Sequence, residues 1–221
     1  LFDRVATNVA KAEDFDEDYW REEFAHQMRT LKFMPNSPTL MNAGTDMNQL
    51  SACFVIEIDD TMAEEDGTPY GNGIFPDATK ASKIFQSGGG VGYSFSELRP
   101  EGTLIESTQG VSSGPVSFMQ VFNETCNQVK QGGKRRGAQM GIMRVDHPDI
   151  GRFITAKRTE GNLSNFNVSV AVTDEFIEAV KNDELYTLKD PQSDFTEDYT
   201  GAISDATKRF YHPDGGRDNI W

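Results

Sequence analysis

Short strand-like runs alternate with longer helix-like segments from residue 50 onward, and this pattern leaves few folds open to the chain. The strand-like runs are residues 50–58, 91–98, 138–145 and 165–172. The helix-like segments between them are residues 77–86, residues 116–130 and a segment that begins at Pro148. Because a parallel strand needs a crossover that returns the chain across one sheet face, the alternation predicts an α/β fold with a largely parallel sheet.

Both ends of the chain depart from this alternation. Apolar residues recur at helical spacing between Asp14 and Leu31, which predicts one amphipathic helix there. Near the other end, Thr173 precedes a helical pattern with acidic residues in its first turn, as is typical of a helix N-cap. From about Asp190 onward the periodicity is weak, and we expect an insertion or a mobile segment.

The chain of 221 residues carries a formal charge of −14. The electrostatic field of such an acidic chain repels phosphate, which argues against binding to nucleic acid or to an anionic membrane. A phosphate ligand therefore needs a local basic cluster. No apolar run approaches the roughly 20 residues of a bilayer span, and the N-terminus lacks a signal pattern. Two cysteines do not indicate a disulfide framework, and we expect one main domain in a reducing, cytoplasmic setting.

A triple glycine at residues 88–90 follows a helix-like segment and precedes a strand-like run. A dinucleotide-binding fingerprint has the opposite order, strand then glycines then helix, so the sequence does not fit that motif. One glycine can end a helix, whereas three in a row also let a ligand approach bare backbone. The sequence leaves both explanations open.

A basic cluster in QGGKRRGA places Lys134, Arg135 and Arg136 on a glycine-flanked loop of a strongly acidic chain. Such a cluster can supply charge-assisted donors to a nucleotide phosphate, although it lacks the P-loop pattern. A solvated basic turn explains the same residues, and the residues alone favour neither interpretation.

The two cysteines occupy different settings. Cys53 lies in an apolar strand, where a free cysteine is usually a small buried hydrophobe, although polar Ser51 shares its face. Cys126 shares a helix face with phenylalanines and is assigned to the core. The three histidines are His26, His147 and His212. None has a second ligand at a metal-site interval, so no metal site is indicated. His147, before a proline, is assigned to a helix entry. The paired Asp and Glu residues are expected to lie mostly on acidic, solvated stretches.

Seven segments, taken in order, resemble the catalytic chains of ribonucleotide reductases. They are PNSPTLMNAG (35–44), QLSACFV (49–55), SGGGVGYSFSELRPEG (87–102), QGVSSGPVSFMQVFN (109–123), QGGKRRGAQMGI (131–142), RVDHPDI (144–150) and NFNVSVAVTDEF (165–176). Four of these sequences resemble the adenosylcobalamin-dependent class more than the di-iron class: SACFV, GGGVGYSF, RVDHPDI and NFNVSVAVTDEF.

The resemblance implies the first half of a ten-stranded α/β barrel of the ribonucleotide reductase type, preceded by a short helical segment. On this basis residues 1–33 end an N-terminal helical domain, and residues 34–182 form the half barrel with its specificity loops. Residues 183–221 then form a truncated insertion or mobile segment. We expect the chain to be a fragment of a ribonucleoside-diphosphate reductase.

The resemblance also implies roles for individual residues. Cys53 matches one of two cysteines that reduce the substrate in that family, and the radical cysteine with its NxCxE motif has no match here. The residues that match substrate contacts are Ser37, Ala52, Cys53, Gly90 and Arg135. Those that match the effector apparatus are Asp60, Arg99, Lys130 and Gln131, with the loop from Gly102 to Gly114.

The cofactors and partners follow from the same resemblance. They are adenosylcobalamin in the complete enzyme, a deoxynucleoside triphosphate effector with magnesium, a ribonucleotide substrate, a thioredoxin-like or dithiol reductant, and a second copy or a complementing C-terminal chain. Two alternatives stay open: the catalytic subunit of the di-iron class, and a noncatalytic nucleotide-binding module. The sequence also leaves open whether the substrate carries two or three phosphates.

Overall fold

A computed structural model describes residues 1–65, 67, 69–105, 107–129 and 137–192. The helices are α1 (Phe2–Ala10), α2 (Glu17–Arg29), α3 (Ser37–Asn42), α4 (Ile74–Gln86), α5 (Gly114–Gln128), α6 (Ile150–Thr155) and α7 (Asp174–Asn182). The strands are β1 (Cys53–Glu57), β2 (Gly90–Ser94), β3 (Leu104–Ile105), β4 (Gly110–Val111), β5 (Gln139–Arg144) and β6 (Phe166–Ala171). The alternation of strands and helices expected from the sequence is confirmed.

The main sheet has four strands in the order β1-β2-β5-β6, and every neighbouring pair is parallel. Each strand therefore pairs with the next long strand of the chain, with a helix in the crossover. The two short strands β3 and β4 form a separate antiparallel hairpin within the connection from β2 to α5. The predicted α/β fold with a parallel sheet is confirmed.

One face of the sheet packs against α4 and α5 and holds the core. Its centre is an aromatic cluster in which the rings of Tyr93 and Phe122 lie 4.7 Å apart, centroid to centroid. Phe95 and Phe166 join them, and all four residues are almost fully buried. Burying each ring stabilises the fold by about 1.5–3 kcal/mol, so this face fixes the sheet on its helices. Cys126 also lies in this core, as predicted.

The other sheet face carries the alternate residues of the same four strands, and we call it the open face. Its members are Cys53, Val55, Glu57, Gly90, Gly92, Ser94, Met140, Ile142, Arg144, Asn167, Ser169 and Ala171. Val55 is 82% exposed, although an apolar β-branched residue in a sheet is normally covered. Within the described residues, α4 and α5 thus cover only one side of the sheet.

A small helical unit precedes the sheet. Helices α1 and α2 pack together through Ala6, Ala25 and Met28, and Ala43, beyond the end of α3, joins this cluster. The Asp16 carboxylate accepts a hydrogen bond from the Tyr19 N–H, which caps α2. The helix predicted between residues 14 and 31 is confirmed, while the domain division at residues 33 and 34 stays a prediction.

Candidate functional site at the two edges of the sheet

The amino edge of the sheet, where its four strands begin, carries the predicted substrate residues. Cys53 opens β1 and is exposed, so it is not the small buried hydrophobe that a cysteine in an apolar strand usually is. Cys53 pairs with Gly90, whose N–H donates to the Ala52 carbonyl at 2.8 Å. The structure thus brings Ala52, Cys53 and Gly90 together, with the thiol on the open face.

Each of the three glycines at residues 88–90 has its own structural role. Gly88 has a φ of +89° and ends α4 with a hydrogen bond from its N–H to the Phe85 carbonyl. A Cβ on Gly89 would lie 2.9 Å from the Phe54 ring. A Cβ on Gly90 would lie 3.2 Å from the Ala138 carbonyl of the neighbouring strand β5. Helix termination and close packing account for the first two glycines, and Gly90 leaves space beside Cys53.

Ser37 lies at the start of α3 and is exposed. The helix is fixed to the segment just ahead of Cys53, because the Thr39 hydroxyl donates to the Leu50 carbonyl at 2.8 Å. The Asn42 amide donates to the Gln49 carbonyl at 2.9 Å. The structure therefore attaches the helix of Ser37 to the approach to β1, and a contact between Ser37 and a nucleotide stays a prediction.

The carboxyl edge of the sheet, where the strands end, carries two of the predicted effector residues, Asp60 and Arg99. Asp60 follows β1, Arg99 follows β2, and Arg99 Nε donates to Asp60 Oδ2 at 2.6 Å. The Arg99 backbone N–H donates to Asp60 Oδ1 at 3.1 Å. Since both carboxylate oxygens bind the same residue, the two predicted effector residues form one charge-assisted unit.

A second polar cluster at this edge follows β5. The buried His147 ring accepts a hydrogen bond at Nδ1 from the Asp149 N–H, at 2.9 Å. Its Nε2 therefore carries the proton and donates to the Leu98 carbonyl at 2.8 Å. Asp149 Oδ2 accepts from the Glu101 N–H at 2.8 Å, and burial raises the pKa of Asp149. Sequence reasoning missed both roles, although RVDHPDI contains both residues.

A bidentate ion pair also closes the end of β5. Arg144 Nε donates to Asp146 Oδ1 at 2.9 Å, and Arg144 Nη2 donates to Asp146 Oδ2 at 2.5 Å. These bonds lower the pKa of Asp146, whose side chain is 6% exposed. The acidic residues were expected mostly on solvated stretches, and the exceptions are Asp77, Asp146, Asp149 and Asp190, which are buried.

A cleft of about 520 Å³ opens beside the start of α5 at this edge. Its lining includes hydroxyl groups, a glycine and an arginine: Gly102, Ser112, Ser113, Ser117 and Arg152. Arg152 forms an ion pair with Glu101, two residues beyond Arg99. The cleft is lined in part by the loop from Gly102 to Gly114 that the resemblance assigns to the effector, and in part by the first turns of α5.

Three predicted residues, Lys130, Gln131 and Arg135, lie outside the described residues. The described residues contain no group of three or more His, Cys, Asp or Glu side chains that could hold a metal ion. In the same part of the chain, no helix is both long and apolar enough to cross a bilayer.

Comparison with known proteins gives the family. A family model described as "Ribonucleotide reductase, barrel domain" matches residues 51–214, and one described as "Ribonucleotide reductase, all-alpha domain" matches residues 1–48. The barrel-domain match covers most of the chain, and the chain belongs to the ribonucleotide reductase family.

Three curated relatives show which classes of the family the chain resembles. The chain is 50% identical over 171 residues to a vitamin B12-dependent ribonucleoside-diphosphate reductase of Thermoplasma acidophilum, covering 77% of this chain and 21% of the relative. It is 44% identical over 198 residues to the enzyme of the same name from Mycobacterium tuberculosis, covering 87% and 27%. It is 32% identical over 164 residues to a ribonucleoside-diphosphate reductase large subunit of Vaccinia virus, covering 72% and 20%. The chain thus spans 20% to 27% of these relatives' lengths.

Proposed function

We propose that this chain is part of an adenosylcobalamin-dependent ribonucleotide reductase that reduces ribonucleoside diphosphates to deoxyribonucleotides for DNA synthesis. The observation that carries the proposal is the exposed Cys53 thiol on the open face, beside Gly90. The identity to relatives named as vitamin B12-dependent, 50% and 44%, exceeds the 32% identity to the viral large subunit. That difference favours the adenosylcobalamin class over the di-iron class and over a noncatalytic binding module.

Cys53 supplies half of the reducing equivalents in this proposal. Two thiols lose two electrons and two protons and become a disulfide; the ribose 2′-hydroxyl leaves as water and a hydrogen takes its place. Cys126 cannot be the second thiol, because it lies on α5 and is buried in the core on the opposite face of the sheet. The second thiol therefore comes from outside these 221 residues. A thioredoxin-like or dithiol reductant then restores the pair.

The cofactor contacts do not follow from the described residues. In the adenosylcobalamin-dependent class, homolysis of the cobalt–carbon bond supplies the radical that starts the reduction. His147 uses both ring nitrogens in hydrogen bonds, and His26 lies exposed on α2 in the helical unit. His147 therefore has no ring nitrogen left to bind cobalt.

The carboxyl edge is the proposed effector site, where a deoxynucleoside triphosphate with magnesium selects the substrate base. Arg99 provides a guanidinium group for a phosphate, and Asp60 holds that group in place. Lys130, Gln131 and Arg135 complete the proposed apparatus, with Arg135 directed to the substrate base. Helix α5 connects the two edges, since it begins beside the cleft at Gly114 and ends ahead of the loop that leads to β5.

The remaining parts of the proposal concern the surroundings of the chain. We place the complete enzyme in the cytoplasm, as a homodimer or with a complementing C-terminal chain. The net charge of −14 disfavours binding to nucleic acid or to membranes.

The test is Cys53→Ser in the intact gene product that carries this chain, assayed with a dithiol reductant. We expect multiple turnover to be lost, because a hydroxyl cannot form the disulfide, while effector binding persists. Cys126→Ala is the matched control, since it removes the other cysteine from the core, and it should retain turnover. Near-normal turnover by Cys53→Ser would refute the assigned role of Cys53.

A further inference from the structure

We propose that His147 and Asp149 are positioning residues that fix the segment 98–101 and thereby orient Arg99 for the effector phosphate. The inference rests on the proposed effector site and adds residues to which that site assigns no role. The polar backbone groups of this segment bind side chains from two distant loops.

Segment 98–101 leaves the sheet directly after β2 and contains Arg99. The Leu98 carbonyl accepts from His147 Nε2 at 2.8 Å, and the Glu101 N–H donates to Asp149 Oδ2 at 2.8 Å. The Arg99 N–H donates to Asp60. Residue 100 is proline and has no N–H. Side chains from the loops after β1 and β5 therefore hold the backbone on both sides of Arg99.

His147 and Asp149 are also hydrogen-bonded to each other. The Asp149 N–H donates to His147 Nδ1 at 2.9 Å, so the ring has one tautomer and one orientation. His147 is 1% exposed and Asp149 is 8% exposed. Since buried polar groups are costly to leave unpaired, loss of either contact should destabilise the conformation of segment 98–101.

The start of α5 meets the same cluster. Gly114 has a φ of +76°, and a Cβ there would lie 2.9 Å from the Glu101 nitrogen and 3.0 Å from Asp149 Oδ2. The helix therefore packs on the hydrogen bond between Glu101 and Asp149. A guanidinium group presents its donors in a rigid fork, so a small movement of its backbone removes them from a bound phosphate.

The experiment compares Asp149→Ala with Asp149→Asn in the intact gene product. The amide retains an acceptor oxygen for the Glu101 N–H, and the methyl group does not. We measure the dissociation constant for dTTP with magnesium and, separately, that for CDP without dTTP. Asp149→Ala should weaken dTTP binding about tenfold, and Asp149→Asn by less than about threefold. CDP binding should change by less than about twofold in both variants.

Thr173→Ala is the matched control, because it also removes a side-chain acceptor of a backbone N–H, here that of Phe176, without touching segment 98–101. If it weakens dTTP binding as much as Asp149→Ala does, the effect is general destabilisation and the proposal is wrong. If Asp149→Ala does not fold, His147→Asn replaces it, with His147→Gln as the variant that retains a donor for the Leu98 carbonyl. Equal dTTP affinity in those two variants overturns the proposal.

Amide hydrogen exchange separates this inference from the effector assignment. If the wild-type protein binds no deoxynucleoside triphosphate, the effector assignment fails. The positioning of the segment is then judged by exchange alone: the Glu101 amide should exchange faster in Asp149→Ala than in the wild type and in Asp149→Asn. Unchanged exchange at Glu101 in Asp149→Ala overturns the positioning role.

Discussion

The two edges of one sheet are built in opposite ways. At the amino edge, Cys53 and Gly90 face an open surface with a thiol and bare backbone. At the carboxyl edge, Asp60, His147 and Asp149 are tied to backbone groups of other loops. The strand β1 separates the two edges by about 13 Å, at about 3.3 Å per residue. The first edge is suited to chemistry on a changing ligand, and the second is suited to holding one geometry.

The largest expected effect is a difference in unfolding free energy between the same substitution at two glycines, one at each edge of the sheet. Gly114→Ala should cost about 3 kcal/mol of unfolding free energy, because the backbone has a positive φ and the methyl group meets the Glu101 nitrogen. Gly90→Ala should cost less than about 1 kcal/mol, since its closest contact, 3.2 Å from the Ala138 carbonyl, needs only a small shift. Urea denaturation of both variants measures the difference. Equal costs would remove the contrast between the edges.

A smaller effect is expected from single polar side chains. Asp60→Ala should lower the unfolding free energy by about 1–2 kcal/mol, because it leaves the Arg99 N–H and guanidinium without their partner. Cys53→Ser should change it by less than about 0.5 kcal/mol, since the thiol is exposed. Thermal unfolding of both variants, followed by circular dichroism, provides the comparison. A cost at Cys53 as large as that at Asp60 would contradict an open amino edge.

The smallest expected effect depends on pH. Arg144 lowers the pKa of Asp146 in the folded state, so this pair contributes stability above the unfolded pKa, and the contribution is lost as pH falls through the folded value. Asp146→Asn should therefore be less stable than the wild type near neutral pH, by less than about 1 kcal/mol because Arg144 is half exposed. Denaturation between about pH 6 and about pH 2 should show the two curves converging in acid. A constant difference across this range would assign the effect to packing.

The fold was largely predictable because its signals are local. Strand-like and helix-like runs alternate within short windows, and the Thr173 cap needs only the Phe176 N–H three positions away. Helix α1 was not predicted as a separate element, although Phe2, Val5, Ala6, Val9 and Ala10 recur at helical spacing, because its 9 residues are shorter than the window over which helical periodicity is read.

The site was less predictable because its contacts join distant parts of the chain. The hydrogen bond from Glu101 to Asp149 spans 48 positions, and the one from Arg99 to Asp60 spans 39. The exposure of Cys53 also escaped prediction, since CFVIE is almost continuously apolar and periodicity does not say which face of the strand a helix covers. Only the order of whole motifs, through the resemblance, pointed to Cys53, Asp60 and Arg99, and nothing in the sequence pointed to Asp149.

The strand order β1-β2-β5-β6 has a consequence for synthesis on the ribosome. Each long strand finds its partner among residues already made, so the sheet can grow in the direction of translation without waiting for a later strand to insert between earlier ones. Within the described residues, the outer edge of β6 has no strand beside it, and it is the edge at which the next strand of a growing sheet would add.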